Sequence, residues 1–594
     1  MSVGLAFKVV AGLAVAAVAA VLLEHYGLVG MSSPRPVRPQ ILQRPFPAPG
    51  GEATNIFWGL QISDLHISKF FDPNRAKDLE KFCSETVDII QPDLVLATGD
   101  LTDGLKSDRW GSRQFETEWQ TYQNVLKRTR VTEKTKWLDI RGNHDSFNIP
   151  SLESSYNYYR RYSALRRHGS MHYIHKTPFG NYSFIYVDAT ITPGPKKPFN
   201  FFGMLNKKQM KELLLLTEET RYSNHTIWFG HYTTSTIISP VPGIRSLMSS
   251  ATAYLCGHLH LLGGMMPVLH TRHPNGTLEL ELGDWKENRR ILAFSPSSIT
   301  TVSVKINGVY LGNAVHLSGP IFILKWNPRN YSEESSMIEV NVQDSTGRIK
   351  SVKHKFSIKG NIHTKFNFMP SFILLTDHYI VARVIFVLIV MTPQLLLILF
   401  RYSKKLELKG TPGFVNMTSF SFLILSKTDI FYYIVLFLNS YTALGPWFVG
   451  EIIDGKIGCC FSFGVFVDGN FFQGSMTFII GIIQILLFNI PLLIYLCWTL
   501  LLRCQGYIFS SHLKGRYHKV LPVHMLMLLF YACQIGSCYL LGKAYGTVAL
   551  LFSPMYAWLA VFVPILIRWA WILNPGELRS FSVELKNFMT SQSQ

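Results

Sequence analysis

Between residues 55 and 290, short apolar runs alternate with amphipathic stretches, the pattern of a sheet covered by helices. The runs at 56–62, 94–97, 137–140, 183–187, 226–229 and 253–256 predict strands, and 75–90 and 207–220 predict helices. After residue 290 the texture changes. Segments 300–305, 321–326, 338–342 and 354–358 are β-rich and separated by Asn-Gly, Ser-Gly and Thr-Gly turns, so 291–370 is expected to form a small Ig-like β-sandwich. The last third differs again. Apolar blocks at 379–400, 430–449, 476–502, 521–541 and 547–573 predict about five transmembrane helices within 371–578, those broken by Asn439, Pro446 and Gln534 carrying the least apolar signal.

A further apolar block, 9–23, lies within an N-terminal segment 1–30 that reads as a signal peptide or a signal anchor. The anchor is favoured because no small-residue cleavage site clearly follows the apolar core. A Pro-rich spacer spans 31–54 and a short tail 579–594. Loop charge then sets the expected topology. Arg401, Lys404, Lys405 and Lys409 follow the first C-terminal block, and Arg503, Lys514, Arg516 and Lys519 precede the fourth, so both loops are expected in the cytosol. Arg35, Arg38 and Arg44 oppose this assignment and are outnumbered. The chain thus reads as a multi-pass protein of the secretory pathway or cell surface, with residues 52–370 lumenal or extracellular and the C-terminus cytosolic. Asn181, Asn224, Asn275 and Asn330 begin N-x-S/T sequons and are glycosylation candidates on that side.

The hydrophobic fraction of 48% fits this membrane reading, and the net charge of +19 does not displace it. Many basic residues flank the spans and no basic groove pattern appears, so no nucleic-acid partner is expected. Of the eight cysteines only Cys83 and Cys256 fall in the proposed ectodomain, which implies no disulfide framework.

Candidate chemistry concentrates in five short motifs: ISDLHIS with Asp64 and His66, ATGDLTD with Asp100 and Asp103, RGNHD with Asn143, His144 and Asp145, FGHYT with His231, and CGHLH with His258 and His260. Each stands at or just beyond an apolar run, where open α/β sheets assemble their sites. Asp, Asn and His donors in such number can hold two divalent cations about 3.5–4 Å apart, a pair suited to clamping and hydrolysing phosphate esters. Gly99, Gly142, Gly230 and Gly257 are expected to let the backbone turn sharply so that the donors converge. Mixed oxygen and imidazole donors suit Mn, Fe or Zn without choosing among them.

With these motifs the sequence resembles the calcineurin-like metallophosphoesterase superfamily, and over its whole length it is similar to the vertebrate transmembrane protein 62 family. The resemblance implies a metallophosphoesterase α/β sandwich of two mixed sheets flanked by helices over 55–290. It implies that Asp64, His66 and His260 hold one metal, that Asn143, His231 and His258 hold the other, and that Asp100 bridges both. His144 would then face the substrate as a catalytic residue, Asp145 would orient His144, and Asp103 would support the ligand loop. Asp at position 103, where purple acid phosphatases place a Tyr ligand, points instead to the branch with cyclic-nucleotide and glycerophosphodiester phosphodiesterases. One departure stands out: GDWKENRR at 283–290 runs straight into ILAFSPSS, where further strands closing the second sheet are expected.

The expected function is a membrane-anchored phosphoesterase that hydrolyses a phosphate mono- or diester by attack of a hydroxide held between two cations. Its partners would be the ester, lipid-linked substrates among the options, and membrane lipid. The alternative is a catalytically weak or inactive metallophosphoesterase-fold protein acting as a scaffold.

Overall fold

The computed structural model describes residues 57–285, 298–318, 321–324, 336–356, 366–403 and 413–590. The N-terminal block, the Pro-rich spacer, Asn330 and the junction at 286–297 lie outside the described residues.

Two sheets face each other in the first unit. Strands β1 (Gly59–Ile62), β2 (Leu94–Ala97) and β3 (Lys136–Asp139) form a parallel sheet in that order. The second sheet contains β4 (Met171–Thr177), β5 (Gly180–Val187), β6 (His225–Gly230), β7 (Ala253–Cys256), β8 (Leu269–Arg272) and β9 (Leu278–Glu281). Its spatial order is β8-β9-β7-β6-β5-β4, with antiparallel pairs at the two edges and parallel pairs between.

Period-two alternation builds the layers. On β2, Leu94 and Leu96 join Leu138 and Ile140 against Phe184, Tyr186 and Phe229 of the second sheet. Val95 and Ala97 point the other way, onto Trp119, Tyr122 and Val125. The second sheet repeats the scheme, with Ile185, Val187 and Trp228 packed on Leu213 of the helix Lys207–Glu219. The predicted helix at 75–90 is present as Asn74–Lys81, a π turn Phe82–Thr86, and Val87–Ile90. The helix Glu116–Thr129, which supplies Trp119 and Tyr122, is absent from the sequence reading.

The β-rich region holds a four-stranded antiparallel sheet of Ile299–Ile306, Val309–Asn313, Ser336–Asp344 and Ile349–Phe356, with a separate hairpin Val315–Ser318/Ile321–Ile323. Among the described residues there is no second sheet of matching size, so the expected Ig-like sandwich reduces to one sheet and a hairpin.

Among the described residues, four helices are long and apolar enough to cross a bilayer: His378–Tyr402, Met476–Cys504, Tyr517–Leu551 and Pro554–Ile572. The block expected at 430–449 is not a straight span. Phe414–Lys427 and Asp429–Leu444 meet at 94°, and together they make a fifth only if counted as one. Arg401 satisfies carbonyls freed at this bend by donating to Ser426 O and Lys427 O, and Lys427 in turn donates to Ser403 O at the end of His378–Tyr402. Polar residues inside the bundle are paired, Gln484 with Gln534 and Asn489 with Asn439 and Thr442.

Residues 448–473, running from the end of the second apolar block to the start of the third, form a four-stranded antiparallel sheet. This sheet and the start of His378–Tyr402 both meet the first unit, the latter through Arg245, which reaches Asp377 at 3.0 Å. The C-terminal helix Arg579–Thr590 packs at the other end of the bundle, where Leu578 and Leu585 join Phe400, Phe420 and Cys504.

Arg141, just after β3, and Asp188, just after β5, close a 2.6 Å ion pair between the two sheets, both almost fully buried. Burial works against ionisation of Asp188, but Arg141 and Thr190 still hold its carboxyl below the usual range. An Asp188→Asn protein should therefore lose about 3–5 kcal/mol of stability, because Arg141 is left buried without its counter-ion. In wild type this contribution is present above about pH 4 and is lost as acid protonates Asp188. Thermal melts of the detergent-solubilised protein at pH 7 and at decreasing pH check both expectations.

Candidate metal centre

All seven predicted ligands follow the C-terminal ends of parallel strands. Asp64 and His66 follow β1, Asp100 follows β2, Asn143 follows β3, His231 follows β6, and His258 and His260 follow β7. Backbone bonds from Asp64 N to Gly99 O, from His66 N to Asp100 O and from Gly257 N to His231 O tie neighbouring loops together. Asp64, His66, Asp100, His258 and His260 all take positive φ, between 44° and 82°. That conformation is costly for residues with a Cβ, and such strain collects at functional sites.

Three of the four motif glycines work by close approach rather than by turning. Only Gly99 has a left-handed φ, +91°. A Cβ on Gly142 would lie 2.1 Å from Asp100 Oδ1, and one on Gly257 would lie 2.0 Å from Ser63 Oγ and 2.2 Å from Asp64 Oδ2. The expectation of sharp backbone turns at Gly142, Gly230 and Gly257 is corrected accordingly.

The donors converge. His66 Nε2 lies 3.2 Å from His260 Nε2, and His258 Nδ1 lies 3.2 Å from His231 Nε2. Asn143 Oδ1 sits 2.9 Å from His231 Nε2 and 3.0 Å from His258 Nδ1. Asp64 Oδ1 is 3.0 Å from His260 Nε2. Asp100 accepts from His144 N through Oδ1, and its Oδ2 stands 3.4 Å from His231 Nε2 and 3.7 Å from His66 Nε2. Asp100 therefore joins two donor sets: Asp64, His66 and His260 on one side, Asn143, His231 and His258 on the other. Donor atoms of Asp64, His66, Asp100 and His260 all lie within 4.8 Å of one another.

A cation fits this arrangement better than protons do. His231 Nδ1 faces Thr98 O at 2.9 Å, so in the neutral ring the proton sits there and Nε2 is a lone pair directed at Asn143 and Asp100, the form that binds a cation. Burial opposes charge on all four imidazoles. Asp100 and Asp64 nevertheless raise His231 and His260 to about 9, while burial and neighbouring rings push His66 to about 4 and His258 to about 3. Two rings are thus held neutral with lone pairs against their neighbours, and His258 Nε2 and His66 Nδ1 have no hydrogen-bond partner. Mixed Asp, Asn and His donors are what a borderline divalent ion takes.

His144 stands beside this cluster with its Nε2 3.9 Å from Asp100 Oδ2 and its side chain 17% exposed. The sequence reading has Asp145 orienting His144, but the carboxylate goes elsewhere. Asp145 accepts from Leu101 N, Thr102 N, Thr102 Oγ1 and Gly142 N, so it pins the loops bearing Asp100 and Asn143. Asp103 meets the ring instead, through its carbonyl at 2.5 Å from His144 Nδ1 and its carboxylate at 3.6 Å.

Several supporting residues escaped the sequence reading because no motif marks them. Glu118 accepts from Lys69 N and Gly104 N, joining the first two ligand loops, and burial raises it to about 7. Arg75 donates to Asp64 O and Leu65 O and forms a two-pronged pair with Asp284. Asn200 donates to Asn143 O, and the Phe201 ring lies 4.6 Å from that of His258. Tyr232 and Thr234, beside His231, are packing residues, bonded to Asn200 O and Glu279. Of the sequon residues, Asn181 and Asn224 are exposed, whereas the Asn275 amide nitrogen donates to Arg245 O at 2.6 Å.

Residues 60–262 match the family model for calcineurin-like phosphoesterase, and 378–554 match the TMEM62 C-terminal domain. Transmembrane protein 62 of Mus musculus is 59% identical, with 99% of each chain covered. The chain belongs to the transmembrane protein 62 family. An Arabidopsis thaliana relative named “Putative metallophosphoesterase” is 30% identical over 304 residues, 42% of this chain and 40% of its own length. A purple acid phosphatase from yellow lupin seeds shows 10% identity and a TM-score of 0.26, covering 51% of this chain and 54% of its own. The mouse alignment runs over 640 positions against 594 residues here, so at least 46 of its positions (640 less 594) have no residue in this chain. Among the described residues β1 is an edge strand, paired with β2 alone.

The contact at Gly257 yields a test. Gly257→Ala forces a methyl group into Ser63 and Asp64, so divalent-metal affinity should fall by about 10–100-fold. Metal analysis after dialysis against graded chelator, compared with wild type, checks this.

Proposed function

We propose that this protein is a membrane-anchored phosphoesterase that uses two divalent metal ions. The observation that carries the reading is the convergence of seven donors around Asp100 with His144 alongside. Asp64, His66 and His260 would hold one ion, Asn143, His231 and His258 the other, with Asp100 shared. When bound, such a pair supplies positive charge for the ester and lowers the pKa of a water molecule. The chain supplies the rest. His144 Nε2 faces the same space as Asp100 Oδ2, placed to donate a hydrogen bond to a phosphate oxygen or a proton to a departing alkoxide. The Asp103 carbonyl on Nδ1 fixes the ring so that Nε2 is presented, and Asp103 and Asp100 draw the ring towards its protonated form against burial.

The position of the site favours an ester presented at a membrane surface. Lys197, within electrostatic reach of Asp103, has its carbonyl bonded by Tyr545 near the end of a candidate span. A soluble nucleotide ester is the rival substrate. A lumenal or extracellular site follows if the basic loops face the cytosol, and the exposed Asn181 and Asn224 accord with it. A second reading, a scaffold that retains the fold, is favoured by the edge position of β1 and by the positions missing relative to the mouse protein.

Full-length protein in detergent should bind about two divalent ions and cleave bis-(p-nitrophenyl) phosphate or p-nitrophenyl phosphate. Asp100→Ala should lose both metal and activity. His144→Ala should keep the metal and lose about 10²–10⁴-fold in turnover. Undiminished hydrolysis by either variant overturns the mechanism, and metal-free protein from cells favours the scaffold. For topology, the Asn181→Gln/Asn224→Gln double variant should migrate faster than wild type, with the difference abolished by N-glycosidase. Equal mobility before digestion counts against a lumenal site.

A further inference from the structure

The second donor set is not held by the α/β unit alone. Segment 194–201 lies between the Asn143–Ser146 turn and the four-stranded sheet at 448–473. On the inner side, Gly194 N bonds Ile149 O, and a Cβ on Gly194 would lie 1.9 Å from Ser146 O. Asn200 Nδ2 donates to Asn143 O at 2.7 Å, and Phe201 lies against the His258 ring. On the outer side, Lys196 N bonds Ile452 O, and the buried Lys196 ammonium pairs with Asp454 at 2.8 Å and Glu451 at 3.1 Å. Asp454 N also donates to Asn148 Oδ1 at 2.7 Å, close to the same turn. Tyr545 donates its hydroxyl to Lys197 O, and the Phe199 ring packs on Phe448 and Tyr545. Ile191 and Phe199 share one apolar core with Trp447, Phe448, Ile452 and Ile453.

We propose that the membrane domain completes the metal centre: its sheet clasps Lys196 and Phe199 so that Asn200 and Phe201 position Asn143 and His258. The inference rests on the metal-centre reading above and adds which part of the chain sets the second ion's affinity. Lys196, Asn200 and Tyr545 are positioning residues, since none of them is among the metal donors. The effect is one-sided. The loop that carries Asp64 and His66 is braced by Arg75, Glu118 and Asp284 of the α/β unit, and Leu259 and Leu261 beside His260 pack on Ile373 and Leu374, away from the sheet at 448–473. Loosening the clasp therefore weakens one donor set and spares the other.

The test uses full-length protein in detergent, with Mn²⁺ or Zn²⁺ as the probe. Lys196→Met, Asn200→Leu and Tyr545→Phe should each lower affinity for one of the two ions by about 10-fold or more and leave the other near wild type. Lys196→Arg should restore much of the second site. Tyr545→Phe removes only a hydroxyl, and gel filtration with a thermal melt establishes that each variant is folded. Folded variants that bind two ions with wild-type affinities overturn the inference while leaving the metal-centre reading intact. Equal weakening of both ions also overturns it. A wild-type protein that binds no ion overturns the underlying reading as well.

Discussion

The structure turns on electrostatic convergence: lone pairs from Asp64, His66, Asp100, Asn143, His231, His258 and His260 are directed into one small space with too few hydrogens among them. Nitrogen faces nitrogen at 3.2 Å, twice over, so a ring proton or a metal ion must lie between each pair. The surrounding fold reads as the means of enforcing that arrangement. Five parallel strands end together, five donors are bent into positive φ, and Gly142 and Gly257 are bare so that carboxylates approach the backbone.

Holding so strained a cluster requires bracing from outside it, and the braces are carboxylates and amides rather than apolar contacts. Asp145 binds the loops of Asp100 and Asn143 with four hydrogen bonds, Glu118 joins the loops around Lys69 and Gly104, and Arg75 reads two carbonyls of the first loop. Charged groups suit this task because each of their bonds to a backbone group is directional and stronger than a neutral one. Arg141 and Asp188 extend the same logic to the sheets themselves.

The convergence of the candidate donors and the strands beneath them were legible in the sequence because each motif stands where an apolar run stops. The helix at 75–90 and the four long apolar helices were legible for the same reason, periodicity over many residues. What escaped was set by distance along the chain. Arg75 and Asp284 are 209 residues apart, and Lys196 and Glu451 are 255 apart, so no local pattern couples them. Asp145 was misassigned because adjacency to His144 suggested a contact that the 3-10 turn at His144–Ser146 directs elsewhere. The block at 430–449 reads as one span because hydropathy registers neither the bend at Thr428 just before it nor the change from helix to strand after Leu444. The sheet at 448–473 leaves little signal in the sequence, because its Gly-rich turns and scattered acids look polar until Lys196 meets Glu451 and Asp454.

That sheet changes what the membrane domain is for. A simple anchor needs only length and apolarity, yet here a folded sheet inserts its turn between Asn148 and Lys196, beside the backbone that carries Asn143. A flexible tether would leave the α/β unit free to meet soluble esters from any direction. A clasp on one side and the Arg245–Asp377 pair on the other instead fix its orientation above the bundle, with Lys197 between Asp103 and Tyr545. A site held at a fixed height and angle over a bilayer gains most when its substrate is confined to the same plane, because confinement replaces a three-dimensional search and preserves alignment on arrival.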